Sequence, residues 1–301
     1  MSEDPERLAL ELERYPSYRV LRRVDSNYAG GPALQGIVRR AAILDVETTG
    51  MDPAADRIIE LGVVVFEYGS ESGQVGPVVG RYNSLEDPGR PIPPEVTAIH
   101  HITDDMVRGR MIDDGEVSAL LHGVGLVIAH NAKFDRPFVE ARLPALAALP
   151  WACSIEDVGW KTHGFASSAL EFLAFRVGLF YGAHRAEVDC MVVLAVLAQQ
   201  LAETGGTALR ALLENARKPS LRITALASPY EVKDLLKARA YRWDGERKVW
   251  TIEVRDDGRE AELAWLKVSI YEGNGAAVEV ETLTARQRYS RRPGNVEKVQ
   301  L

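Results

Sequence analysis

The hexapeptide Asp45-Val46-Glu47-Thr48-Thr49-Gly50, placed at the end of the apolar run Ala41–Leu44, constrains this chain more than any other feature. An apolar run of that length bounded by a polar turn reads as a buried strand. Residues two apart on a strand point to the same face, so Asp45 and Glu47 project together from its end. Two carboxylates held side by side raise each other's pKa unless a cation lies between them. Mg²⁺ suits such a pair, because it takes one or two carboxylates together with water and phosphate oxygens. The bland alternative, a loop carrying two solvated acids, fits poorly with an acid pair on an apolar strand end.

Two further elements carry polar groups at element ends. His130-Asn131-Ala132-Lys133-Phe134-Asp135 follows the apolar strand Val124–Ala129 and opens a helix expected over Asn131–Arg142. A carboxylate in the first turn of that helix also suits its dipole, and Asn131 also suits an N-cap, so neither is diagnostic alone. His184-Arg185-Ala186-Glu187-Val188-Asp189 leads into a strongly apolar helix expected over Ala186–Ala202. Residues five apart on one helix lie about 140° apart, so His184 and Asp189 converge only if His184 sits in the loop ahead of the helix. Asp189, between Val188 and Cys190-Met191, is costly to bury without a partner, which favours a ligand role.

Around these elements the chain reads as strands first and then alternating strand and helix. Strands are expected over Ala41–Val46, Arg57–Tyr68 and Gly76–Asn83, the last two joined at Gly69–Gly73. Short helices are expected over Pro94–Ile99 and Thr103–Val107, and another over Ser167–Val177, with Thr103 a plausible N-cap. The expected class is α/β, a mixed sheet flanked by helices. The 301 residues divide into an N-terminal arm, 1–40, a main domain, 41–218, a small α+β domain, 219–283, and a flexible tail, 284–301. Within the arm, Pro5–Tyr15 has helical spacing and Asn27–Gly36 reads as a linker. In the small domain a strand is expected over Leu221–Ala227. A helix capped by Ser228 follows, then a hairpin turning at Asp244-Gly245.

Together the three motifs resemble the DEDDh exonucleases, the DnaQ-like group with an RNase H-like fold, over residues about 40–203. Asp-x-Glu-Thr-Thr-Gly matches Asp45 to Gly50, Asn-x-x-Phe-Asp matches Asn131 to Asp135 after His130, and His-x-Ala-x-x-Asp matches His184, Ala186 and Asp189. Ile99-His100-His101-Ile102-Thr103 is similar to a His-Gly-Ile-Thr segment of the family, with His101 where the family often has Gly. The resemblance implies a 3′→5′ exonuclease that releases nucleoside 5′-monophosphates. In it Asp45, Glu47, Asp135 and Asp189 hold two Mg²⁺ or Mn²⁺ ions and His184 is the general base. It also implies substrate contacts. The Thr48 and Thr49 amides would meet the 3′ hydroxyl, Met51 and Phe134 the terminal base, and Asn131 the sugar or phosphate, with Gly50, His130 and His100 as further substrate-binding residues. The implied partner is nucleic acid with a free 3′ end, DNA or RNA. The alternatives are a non-catalytic nucleic-acid-binding protein and a proofreading subunit associated with a polymerase or another DNA-processing partner.

The net charge of −7 does not exclude a nucleic acid, because it is unevenly distributed. Residues 1–218 carry 21 Lys and Arg against 30 Asp and Glu, whereas 219–301 carry 15 against 13. In the latter stretch, Arg239, Arg242, Arg247 and Lys248 interleave with Tyr241, Trp243 and Trp250, a composition suited to phosphate contact and base stacking. Equally, Trp243, Val249 and Trp250 are the apolar anchors that a domain this small needs. No segment approaches the roughly 20 apolar residues that span a bilayer, so no membrane partner is expected. The first residues lack a signal-peptide pattern, and two distant cysteines offer no disulfide framework, so a cytoplasmic location is expected.

Overall fold

The computed structural model describes residues 4–201 and 205–301, which form two compact units meeting at Leu213/Glu214. That places the division inside a helix, a few residues before the expected boundary at 218.

The first unit is built on β1 (Val38–Thr48), β2 (Ile58–Gly69), β3 (Val75–Leu85), β4 (Val127–Ala129) and β5 (Trp151–Cys153). Their order is β3-β2-β1-β4-β5, with β2 antiparallel to both β1 and β3, and β4 and β5 parallel to β1. This is the mixed α/β sheet expected. β1 is central, and Ala41, Ala42, Ile43 and Leu44 are fully or almost fully buried. β2 is buried along nearly its whole length, which explains its wealth of Ile, Leu and Val. β5 was missed, since three residues after a Pro leave no measurable periodicity.

The helices up to the boundary between the units are α1 (Pro5–Leu12), α2 (Pro94–His100), α3 (Asp104–Val107), α4 (Asp114–Leu120), α5 (Ala132–Arg142), α6 (Leu170–Arg176), α7 (Ala186–Leu197) and α8 (Ala208–Ala216), of which α4, α5 and α7 pack on the sheet. Thr103 occupies the N-cap position of α3 but makes no side-chain capping bond. α7 ends five residues earlier than expected, and Ala202, like Thr204, lies outside the described residues. His101 closes α2 in the left-handed conformation, φ 60°, donating its N–H to Thr97 O at 2.8 Å. That is a glycine's backbone at a residue carrying a Cβ, at a cost of roughly 1–2 kcal/mol.

The N-terminal arm is tied to the first unit. Arg22–Arg23 pairs in parallel with Leu179–Phe180, and the Arg19 guanidinium donates to Phe175 O and Arg176 O at 2.5 and 2.6 Å. A cation there complements the carbonyl end of α6.

The second unit is an antiparallel sheet of β6 (Ser220–Ala225), β7 (Arg242–Asp244), β8 (Val249–Arg255), β9 (Ala277–Leu283) and β10 (Asn295–Gln300), in the order β7-β8-β6-β9-β10. Leu221, Ile223, Val278 and Val280 alternate onto a core closed by Leu236, on α9 (Lys233–Ala238), and by Leu266, just past α10 (Arg259–Trp265). On the opposite face Arg222 bridges Glu253 and Glu281 across three strands, at 2.9 Å each.

Three expectations are corrected here. Residues 284–301 are not a flexible tail throughout: Asn295–Gln300 pairs along β9, and Val299 and Leu301 pack on the core. An edge strand needs only a backbone partner and an apolar anchor, and its charged side chains disguise it as a tail. The helix expected after Ser228 begins with a 3₁₀ turn, Tyr230–Val232, entered at Pro229 rather than capped by Ser228. The hairpin turns through residues 245–248 rather than at Asp244-Gly245. There Asp244 Oδ1 accepts from the N–H groups of Glu246 and Arg247 at 3.0 Å, and Lys248 is left-handed, φ 55°.

Candidate metal-dependent active site

The register of β1 against β2 builds the floor of the site. Asp45 lies opposite Gly62 and Glu47 opposite Glu60, so all four occupy one face of the sheet. α7 covers this face, with Cys190 Sγ 3.6 Å from Gly62 O, and delivers Asp189. Carboxylate oxygens of Asp45, Glu47 and Asp189 all lie within 4.8 Å of one another. Asp135 comes from the first turns of α5 and is 2% exposed. β4 ends at Ala129, alongside Ile43 and its neighbours, so the N–H of Val46 finds no strand partner on that side. Asp135 Oδ1 accepts it at 3.2 Å.

Electrostatics separates this cluster from an ordinary acidic surface. Burial first, then the charges of Asp135, Asp189, Glu47 and Glu60, holds the Asp45 carboxyl well above the carboxylate range. Burial and the neighbouring acids push Glu47 up to about 8, and burial pushes Asp135 to about 8 and Asp189 to about 6. Four such groups, offering only oxygen donors, fit a hard divalent cation such as Mg²⁺ or Mn²⁺.

Without a cation the cluster opposes its own ionisation. The folded pKa of Glu47 lies above its unfolded value, so its ionisation costs stability, and that cost grows as pH rises from about 4.5 through about 8. Glu47→Gln removes the cost. In chelator, the variant is therefore expected to gain on the wild type by up to a few kcal/mol between pH 5 and pH 8. Urea unfolding at the two pH values measures this, and a difference independent of pH would contradict it.

His184 stands ahead of α7 with φ 65° and is exposed, outside the helix as the spacing required. Arg185 N–H donates to Asp189 Oδ2 at 2.9 Å and closes this turn. Of the other expected contacts, Met51 is 79% exposed, Asn131 is exposed and left-handed at φ 84°, and Phe134 is half-buried against Phe138, ring centroids 5.1 Å apart. Thr48 and Thr49 are spoken for. The Thr48 hydroxyl donates to Gly50 O, the Thr49 amide donates to Arg57 O at 2.9 Å, and Thr49 Oγ1 accepts from Arg57 N and Arg90 Nη2. The Thr49 amide is thus unavailable to a 3′ hydroxyl, a correction to its expected role. His100 is likewise no surface contact: it is 1% exposed and its Nδ1 accepts from Ile102 N–H at 2.9 Å. His130 is held by Ser154 Oγ at 2.7 Å, and burial lowers its pKa to about 4.

In the second unit, Arg239 pairs with Glu262 at 3.0 Å and lies over Trp265, and Arg247 pairs with Glu279 at 2.5 Å. Both are therefore committed within the unit, while Arg242 and Lys248 are exposed.

Three residues of the site escaped the sequence reading. Glu60, fully buried on β2, accepts from Arg185 Nη2 at 2.9 Å, from Asn83 Nδ2 at 3.2 Å and from Ala186 N at 3.3 Å, anchoring the turn that carries His184. Gly62 lets the α7 backbone touch β2. The signal for both was a lone acid and a lone glycine inside the apolar run Ile58–Phe66. Tyr181 hydrogen-bonds Asp189, and burial with the nearby acids raises its phenol pKa. No spacing marked it.

Asp45, Glu47 and Asp189 are each partly exposed, so the cluster is within reach of solvent. No described helix is long and apolar enough to cross a membrane.

The family model described as Exonuclease matches residues 42–197. Over 173 residues the chain is 35% identical to DNA polymerase III subunit epsilon of Treponema pallidum, covering 52% of this chain and 74% of that one. It is 29% identical over 199 residues to exodeoxyribonuclease 10 of Escherichia coli K12, covering 64% and 81%. Among solved structures, exonuclease X in complex with 5′ overhanging duplex DNA aligns over 57% of this chain and 97% of that one, with 26% identity and a TM-score of 0.43. The chain belongs to the DnaQ-like exonuclease family.

Proposed function

We propose that the chain is a 3′→5′ exonuclease that shortens DNA strands to nucleoside 5′-monophosphates, with Asp45, Glu47, Asp135 and Asp189 holding two divalent cations. The observation that carries this reading is the convergence of three carboxylates within 4.8 Å, all with pKa values held up by burial and mutual repulsion. When bound, two such cations stabilise the attacking and leaving oxygens of an in-line displacement at phosphorus. His184, exposed and hinged on the Arg185–Glu60 anchor, takes the proton of the attacking water. Met51 and Asn131, open beside the motifs that carry the acids, meet the terminal nucleotide. The relatives named for DNA polymerase III and exodeoxyribonuclease favour DNA as the substrate and a polymerase as a partner.

A 5′-labelled single strand incubated with Mg²⁺ is expected to give a ladder shortening from its 3′ end, absent in chelator. In His184→Ala the rate is expected to fall roughly 10²–10⁴-fold, the range for loss of a general base. Release of the label as a mononucleotide at the first time point would mean the opposite polarity and overturn the reading.

A further inference from the structure

The second unit has a cavity of its own, of about 550 Å³, lined by Ser228, Pro229, Tyr230, Lys233, Lys237, Trp243 and Trp250. Trp243 and Trp250 are directly opposed across the β7–β8 hairpin, their ring centroids 5.4 Å apart at 59°, so they stand on one face and form two walls of different slope. Trp250 packs on the core, but Trp243 is 51% exposed and Tyr230 75%. A small domain gains nothing in its core from aromatics left half in water. Lys233 and Lys237, four apart on α9, share a helix face beside these rings. Lys233 Nζ donates to the Tyr230 hydroxyl at 2.6 Å and lies 4.0 Å from the ring centroid. The Lys237–Asp234 pair is long, at 3.9 Å, and its groups are 60% and 80% exposed, so Asp234 neutralises Lys237 weakly.

We propose that this cavity is a binding site for single-stranded nucleic acid, with a base stacking on Trp243 or Tyr230 and the adjoining phosphates on Lys233 and Lys237. The occupant follows from the lining. Flat π-faces at an open apolar surface with two cations alongside match the alternation of base and phosphate that every nucleotide repeats. The site differs from the basic stretch marked in the sequence, where Arg239 and Arg247 are held in ion pairs. It rests on the exonuclease reading only for the class of ligand, since its residues belong wholly to the second unit.

The test uses the full chain in chelator, where no strand is consumed, and the anisotropy of a fluorescein-labelled 20-nucleotide oligothymidylate. Trp243→Ala is expected to weaken binding about 5- to 150-fold, the range for loss of one stacked base. Lys233→Gln with Lys237→Gln, which leaves the rings in place, is expected to lower the slope of log affinity against log salt by about 1.4, the value for two phosphate contacts on a single strand. With Mg²⁺ restored, hydrolysis of the p-nitrophenyl ester of thymidine 5′-monophosphate is expected to stay within about twofold of wild type in both variants. Unchanged strand affinity and an unchanged salt slope in both would overturn the proposal. Loss of strand binding in these variants, beside a wild type inert on the ester, would sink the exonuclease reading and leave this site standing.

Discussion

Asp45→Asn is expected to lower the nuclease rate at least about 10³-fold while leaving the fold intact. The two side chains have nearly the same shape, so packing at the end of β1 is preserved. What is lost is a negative oxygen in a cluster where Glu47 and Asp189 lie within 4.8 Å. Cation binding that supplies several kcal/mol to the transition state disappears with it, and each 1.36 kcal/mol is tenfold in rate. Stability is expected to move the other way. Burial and four neighbouring acids raise the pKa of Asp45, so its charge is a cost to the metal-free fold, and the neutral amide is tolerated at least as well. Rates from single-turnover hydrolysis and the thermal midpoint in chelator report the two effects separately. An Asp45→Asn chain that degrades DNA at the wild-type rate in a clean preparation would remove the cluster from the chemistry.

Gly62→Ala tests how the site is assembled rather than what it contains. A Cβ on Gly62 would lie 2.5 Å from the carbonyl carbon of Ala186 and 2.6 Å from the amide nitrogen of Glu187. Both are backbone atoms in the first turn of α7, and no rotamer change relieves the clash, so the helix must move. That turn carries Asp189, and the Arg185–Glu60 ion pair just before it steadies the His184 loop. A shift of about 1 Å at a reacting group costs on the order of 10²-fold in rate, and overpacking costs typically 1–3 kcal/mol of stability. Gly62→Ala is therefore expected to lose both, with cation affinity falling in parallel. Gly125→Ala is the control, because its Cβ would meet nothing nearer than 3.7 Å. Wild-type kinetics in Gly62→Ala would show that α7 is not held by this contact.

The candidate metal-binding acids were legible because each breaks or ends an apolar run. Asp45 and Glu47 follow Ala41–Leu44, Asp135 opens a helix after Val127–Ala129, and Asp189 interrupts an apolar helix. Their convergence was not legible from spacing alone, since it depends on the β1–β2 register and on α7 lying across it. Glu60 and Gly62 were hidden inside a strand assigned by its hydrophobicity, where a fully buried acid looks like an irregularity until Arg185 is seen to pair with it. The Thr49 amide and His100 were misjudged for a related reason. A polar group in a motif is free for substrate only if the fold leaves it free, and here Arg57 O and the Ile102 N–H take them. In the second unit, the edge strand β10 went unread because its cross-strand partner β9, not local pattern, decides it.

Calorimetric titration of Mn²⁺ into the chelator-stripped protein with thymidine 5′-monophosphate present, for wild type beside Asp45→Asn, tests the metal centre most directly. The expected result is two equivalents bound by the wild type, with affinity rising from pH 6 to pH 8 as Asp189, Glu47 and Asp135 give up their protons, and at least one equivalent lost in the variant. Equal Mn²⁺ binding by both proteins, or none by either, would contradict the assignment of these carboxylates as a metal-dependent nuclease centre.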